Sequence, residues 1–369
     1  MKVYPSALGL LAAAMLAAIP LAGAAGDVQV QHLYELSDFS GTIPYSDAVI
    51  HVDRGRDEVY VTDGGVVRIF NGAGMEIYRF LKDWTTGTIF GLAAEPSGDI
   101  LLLLRDYTSH DPGPGWSLHR VDYRGRPLGP VALRGLPEDL ADFSPDRMVL
   151  RGEEIFLVSS FQLRVVVVGT DGAFRRSHDL AGMLGIDDPA STDLFGFALD
   201  RDGNMLFTIP VLFRVFVVSP AEEVRQFGTP GSAPGKFGIV SGVAGDDAGN
   251  YIVADKLRNV VMIFDPAFQL ITEIGFEGGR MNLVRPTDLA LGNTGRIYIT
   301  QARNQGVSVY SVKQLVGDLA GEPVRDEKGG ASTTAVRHGG AGDAPARTMT
   351  GTVPRDPQMS PNDLPHGVG

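Results

Sequence analysis

One short pattern, met six times, sets the fold of this chain. A polar turn holding Gly or Glu leads straight into a run of apolar and β-branched residues. The copies read RDEVYVTD from Arg56, SGDILLLL from Ser97, GEEIFLVS from Gly152, DGNMLFTI from Asp202, AGNYIVAD from Ala248 and TGRIYITQ from Thr294. Anchored on Val59, Ile100, Ile155, Met205, Tyr251 and Ile297, they recur every 41 to 55 residues or so, the period of a propeller blade and too long for a leucine-rich repeat.

Each copy has the same surroundings. Before the turn stands an inner strand: DAVIHVD from Asp47, FGLAAE from Phe90, DRMVLR from Asp146, FGFALD from Phe195, SGVAGD from Ser241 and TDLALG from Thr287. After it comes a third strand, such as VVRIFN from Val66 or VVMIFD from Val260, and in most units a fourth, such as EIYRFL from Glu76. No helical periodicity intervenes, so each unit reads as a four-stranded antiparallel meander. The sixth unit stops at its third strand, at Val312, and VQHLYELSDF (Val30 to Phe39) is left over at the other end. The prediction is an all-β, six-bladed β-propeller whose N-terminal strand completes its last blade and removes the free sheet edges.

Between blades four and five runs RQFGTPGSAPGKFG, residues 225 to 238, almost wholly Gly, Pro, Ser, Thr and Ala between Phe227 and Phe237. Such a segment must cross a blade face, turn and drop to the channel, with the two Phe rings fastening its ends. IGFEGGRMNLVRPTDLALG from Ile274 is a second version. These connectors, with AGNYIVAD and NVVMIFD, closely resemble the NHL repeat; the match is best over residues 225 to 312 and weakens toward blades one and two. Asp63 and Asp255 fit the Asp that ends the family's second strand, whereas Ser159, Ile209 and Gln301 depart from it. A six-bladed fold of YWTD or lactonase type is the other architecture the count allows.

The resemblance implies a surface for binding proteins, RNA or carbohydrate; a minority of such propellers are enzymes with His at the inner-strand entrances. Fold alone does not choose between these. A formal net charge of −12 argues against a nucleic-acid partner. Lys2, the apolar stretch from Ala7 to Pro20 and the small residues Ala22-Gly23-Ala24 read as a cleavable signal peptide over residues 1 to 25. The mature chain is therefore expected in the periplasm or outside the cell, without a membrane span. No Cys is present, so the fold over residues 27 to 318 has no covalent staples and no thioether haem. Residues 319 to 369 are expected to be a disordered tail: from Gly321 on there are nine Gly and six Pro but no Phe, Tyr, Trp or Ile.

Candidate sites follow from the topology. The seven histidines, His32, His51, His110, His119, His178, His338 and His366, all miss the inner-strand entrances, so a three-His zinc set is not matched. Asp47, Asp146 and Asp288 do fall near the entrances of inner strands one, three and six. As a ring they would hold Ca²⁺ as a cofactor, or a cationic substrate; as turn residues they would bond backbone N–H groups. Tyr45, Phe90, Phe143 and Phe195, with Arg285, form a candidate contact surface, with packing between blades the competing role for Phe90 and Phe195. Trp116, in the insertion YTSHDPGPGWS, is a further contact candidate. No GxSxG elbow, Walker-type loop or dinucleotide fingerprint occurs. The function expected is an exported, non-catalytic binding scaffold for another protein or a cell-envelope component, a glycan or a cytochrome among them. The alternative is a metal-dependent propeller enzyme, lactonase- or lyase-like.

Overall fold

The computed structural model describes residues 28–314, apart from 46, 86, 107–114 and 278–279. The signal peptide, the tail and His110 lie outside the described residues. No helix among those described is long and apolar enough to cross a membrane.

Six four-stranded antiparallel sheets follow one another along the chain. Their inner strands are Val49–Asp53, Thr88–Ala94, Arg147–Arg151, Phe197–Leu199, Val240–Gly245 and Pro286–Leu291, each packed on the next around a central channel. The second strands coincide with the six repeated motifs, from Glu58–Thr62 to Arg296–Gln301. They are apolar on both faces because each blade is covered on both sides: Ile100 to Leu104 are all buried. Six hydrophobic clusters result, one in each interface between neighbouring blades. Full burial of one Leu such as Leu101 contributes about 1.5–3 kcal/mol.

The ring is closed by Val28–Glu35, antiparallel to Val307–Gln314. That strand begins and ends earlier than the Val30 to Phe39 expected. Leu36 N donates to Val307 O (3.0 Å) and Ser37 N to Gly74 O (3.0 Å), so the chain already turns toward blade one there. Phe39 ends up fully exposed, beside the two-strand turn Ser37–Asp38 and Gly41–Thr42. Blade four also differs, since its inner strand is regular only over Phe197–Leu199. Gly196 lies against Ser241 of the next blade, where a Cβ would meet Ser241 O at 2.2 Å, and Gly242 is pressed against Asp288 in the same way. Glycine at these inner-strand positions lets the backbones converge on the channel.

The connector from residue 225 to 238 is seated as its rings require. Phe237 is fully buried, and Phe227 stacks on Phe268 at 4.5 Å and meets Phe264 at 5.0 Å. Arg214, at the start of the third strand of blade four, donates to Gly228 O, and Arg258 of blade five to Lys236 O (2.8 Å).

Candidate channel-mouth site

All inner strands enter the channel from one end, and the second strands finish there. The turn after the second strand of blade five is built on Asp255, which is fully buried. Its carboxylate accepts from the N–H groups of Gly238, Ile239 (3.1 Å), Leu257 (3.0 Å) and Arg258 (3.0 Å). Lys256 is held inside this ring of bonds, its own N–H donating to Ile239 O at 3.0 Å. In blade six the neighbouring connector is tied by Arg285 N to Asn259 Oδ1 (2.7 Å). Arg285 adopts φ 47° there, as Asp47 adopts φ 56° before blade one. Left-handed backbone of this kind in a long side chain persists only where its surroundings fix it.

The side chains at this end form a cationic cluster on an aromatic floor. Lys256 Nζ stands 3.5 Å from the centroid of the half-buried Phe195 ring, and the Arg147 guanidinium carbon lies 5.7 Å from the same centroid. Cations favour the negative face of an aromatic ring. Arg105 is placed similarly over Phe90 (5.7 Å) and donates to Ser144 Oγ at 3.2 Å. Arg147 Nε is buried without a hydrogen-bond partner among the described residues. Burial first, then the Arg285 guanidinium, pushes the Lys256 ammonium below the ordinary lysine range; Asp47 opposes this and Arg147 adds to it. Asp288 moves the other way, as burial raises its carboxyl above the ordinary aspartate value, against the pull of Arg147 and the Leu289 N–H.

Two of the three aspartates lie near cations, Asp47 near Lys256 and Asp288 near Arg147. Asp47 lies exposed near Lys256, its N–H donating to Gln301 O (3.3 Å). Asp146 Oδ1 accepts from Ser160 N (3.0 Å), across the blade, and Asp288 Oδ1 from the N–H of its neighbour Leu289 (2.9 Å) within the inner strand. Among the described residues no three His, Asp or Glu side chains are grouped to hold a metal ion.

Of the aromatic candidates, Phe90 packs against the cluster between blades two and three with Arg105 over its ring, and Phe195 lies half-buried beneath Lys256 and Arg147. Tyr45 and Phe143 do not serve as surface: they are only 2% and 3% exposed, Tyr45 in the interface of blades six and one and Phe143 in that of blades two and three. Trp116 packs on Phe143 edge-to-face and donates from Nε1 to Phe143 O at 3.0 Å, so it covers the neighbouring blade. Arg147 and Lys256 were not picked out by sequence reasoning. Their only signals were their places in SPDRM and VADKL, immediately after an Asp already singled out.

At the opposite end of the channel, a cavity of about 570 Å³ is lined by His51, Asp53, Arg54, Arg56, Pro96 and Leu150 among others. Burial holds the His51 imidazole down at about 4, with Asp53 pulling upward. A second cavity, about 240 Å³, lies between blades five and six on that side, with Ile252, Ile263 and Ile297 in its walls. Neither cavity includes the cationic cluster.

This architecture defines a six-bladed β-propeller with four-stranded blades and a ring sealed by its N-terminal strand. No family model and no curated protein sequence matches the chain. Solved structures share the fold. A protein of unknown function from Bacteroides thetaiotaomicron is similar at TM-score 0.54 and 12% identity, over 78% of this chain and 76% of that one. A luciferin-regenerating enzyme is similar at TM-score 0.53 and 12% identity, over 78% and 96%. Streptogramin B lyase gives 0.47 and 13%, over 78% and 88%.

Proposed function

We propose that this chain is an exported binding protein whose channel mouth receives an anionic group of its partner or ligand. One observation carries the reading: Lys256 and Arg147 share the Phe195 ring, and no acceptor or carboxylate of the described residues is hydrogen-bonded to or ion-paired with either. Half-buried cations that make no hydrogen bond or ion pair are costly to desolvate, and an anionic ligand would offset that cost. An acidic cell-envelope component, a protein or a glycan, would be drawn to this patch although the chain as a whole is negative. The metal-dependent enzyme has less support, because Arg147 lies close enough to Asp288 to affect its ionisation.

Calorimetry and thermal melting with succinate and citrate test the reading. Binding to the folded state raises the melting temperature with anion concentration, and the Arg147→Ala/Lys256→Ala pair abolishes the rise. An unchanged rise in that double variant, or none in wild type, overturns it.

A further inference from the structure

We infer that the cavity between blades five and six is a binding site for a small, uncharged, apolar molecule, an aromatic ring or a short alkyl chain. The site lies at the end of the channel away from the cationic mouth and is independent of it. A difference between the blade interfaces points to it. Five of the six clusters contain phenylalanine, with Phe70, Phe80, Phe143, Phe156 and Phe227 among the rings. The cluster between blades five and six has neither Phe nor Trp among the described residues, and it includes the small Ala244 and Ala254. The cavity of about 240 Å³ lies in this same interface.

Its walls and rim decide what can enter. Ile252, Ile263 and Ile297 are buried, and Ile271, Leu291 and Val312 are half-buried beside them. The charged groups of the rim already have partners. Arg54 pairs with Asp247, while Arg296 pairs with Asp57 and donates to Gly72 O. Asp246 accepts from the N–H groups of Ala248 (2.9 Å) and Asn250 (2.7 Å) and from Asn250 Nδ2 (2.8 Å). A charged ligand would therefore be desolvated without gaining a free counter-charge. Water among the aliphatic walls would lack the two to four polar partners it needs.

An apolar molecule meets neither penalty and removes its own surface from water. An engineered cavity of about 150 Å³ with Leu, Ile and Phe walls takes up benzene, so this larger space accommodates toluene or indole. The bound ring would supply the contacts that a phenylalanine supplies in the other interfaces. It would also touch the seam of the propeller. Val312 is paired with Val30 of the closing strand, and Val28 of that strand lines the cavity.

Toluene and indole test the site on the full chain, with isoleucine methyl groups labelled for NMR. Each probe is expected to shift the methyls of Ile252, Ile263, Ile271 and Ile297 along one saturation curve. The melting temperature should rise by about 2 °C or more at about ten times the dissociation constant. Benzoate and benzylammonium should bind at least about tenfold more weakly than toluene. Ile271→Phe places a ring in the space and should abolish the shifts. Val312→Ala widens the space, so it should keep them and extend binding to naphthalene, which tests the site even where Ile271→Phe disturbs folding. No shift in wild type overturns the inference. Shifts spread equally to Ile100 and Ile155 of other blades, or benzoate binding as tightly as toluene, also overturn it.

Discussion

Arg54 of blade one and Asp247 of blade five are joined across the far end of the channel, over the turn of the blade between them. Arg54 Nη1 donates to Asp247 Oδ1 at 2.9 Å, Nη2 reaches the second carboxylate oxygen, and Asn293 of blade six donates to Arg54 O at 2.8 Å. Other arginines link neighbouring blades in the same fashion. Arg56 donates to Pro96 O (2.8 Å), Arg120 to Thr170 O (2.8 Å), Arg151 to Arg201 O (2.7 Å), Arg201 to Asp247 O, and Arg296 pairs with Asp57. A chain without cysteine thus carries a circle of guanidinium braces.

The braces distribute their effect rather than concentrate it. The Arg54 and Asp247 side chains are 46% and 64% exposed, and exposed pairs contribute at most about 1 kcal/mol. Arg54→Ala should therefore cost less than about 1 kcal/mol in urea unfolding, with the difference shrinking in high salt. A loss of several kcal/mol would mean that this one link governs closure.

Asp255 should behave differently. Its buried carboxylate serves four backbone N–H groups, and leaving buried donors unpaired costs about 1–3 kcal/mol each. Asp255→Ala should lose about 3 kcal/mol or more, and Asp255→Asn less, since its amide oxygen still accepts. Denaturant midpoints of the two variants decide it; equal, small losses would show that water replaces the carboxylate.

Asp255 also shows what the sequence made legible. Its motif marked the turn, and the departure at Gln301 proves to be a substitute, with Gln301 Oε1 accepting from Val284 N at 2.7 Å. The second strands were readable because burial on both faces leaves an unbroken apolar run. The cationic mouth was not. Arg147 and Lys256 lie more than a hundred positions apart and meet over Phe195 only because the ring brings blades three, four and five together. Tyr45 and Phe143 were misjudged because a connector aromatic can turn toward the mouth or into a blade interface, and spacing does not encode that choice.

The closing strand supplies a further prediction. Val28–Glu35 covers the edge of Val307–Gln314, Val30 joins the cluster between blades five and six, and Leu36 is fully buried. Deleting residues 27 to 40 would leave that edge unpaired, which invites association. Size-exclusion chromatography should show aggregates and melting should occur at lower temperature. A monomer of unchanged melting temperature would contradict the seal.

Acid should reveal His51. Its imidazole is held at about 4 instead of 6.5, mainly by burial. An unfolded chain takes up a proton on His51 as the pH falls through 6.5, while the folded chain does so only near 4, so stability is lost within that window and untouched above it. At one pKa unit per 1.36 kcal/mol the loss is no more than about 3.4 kcal/mol, and the cavity lining on one side of the ring reduces it. Asp288 acts in the opposite sense: its raised carboxyl takes up a proton earlier in the folded state, so falling pH restores stability there, and Asp288→Asn should raise the melting temperature at neutral pH. The two effects separate by substitution. His51→Gln should match wild type in slope above pH 7 and lose less stability between pH 6.5 and 4.5, as followed by urea unfolding across that range. Parallel profiles for the two proteins would mean that the imidazole protonates freely in the folded channel.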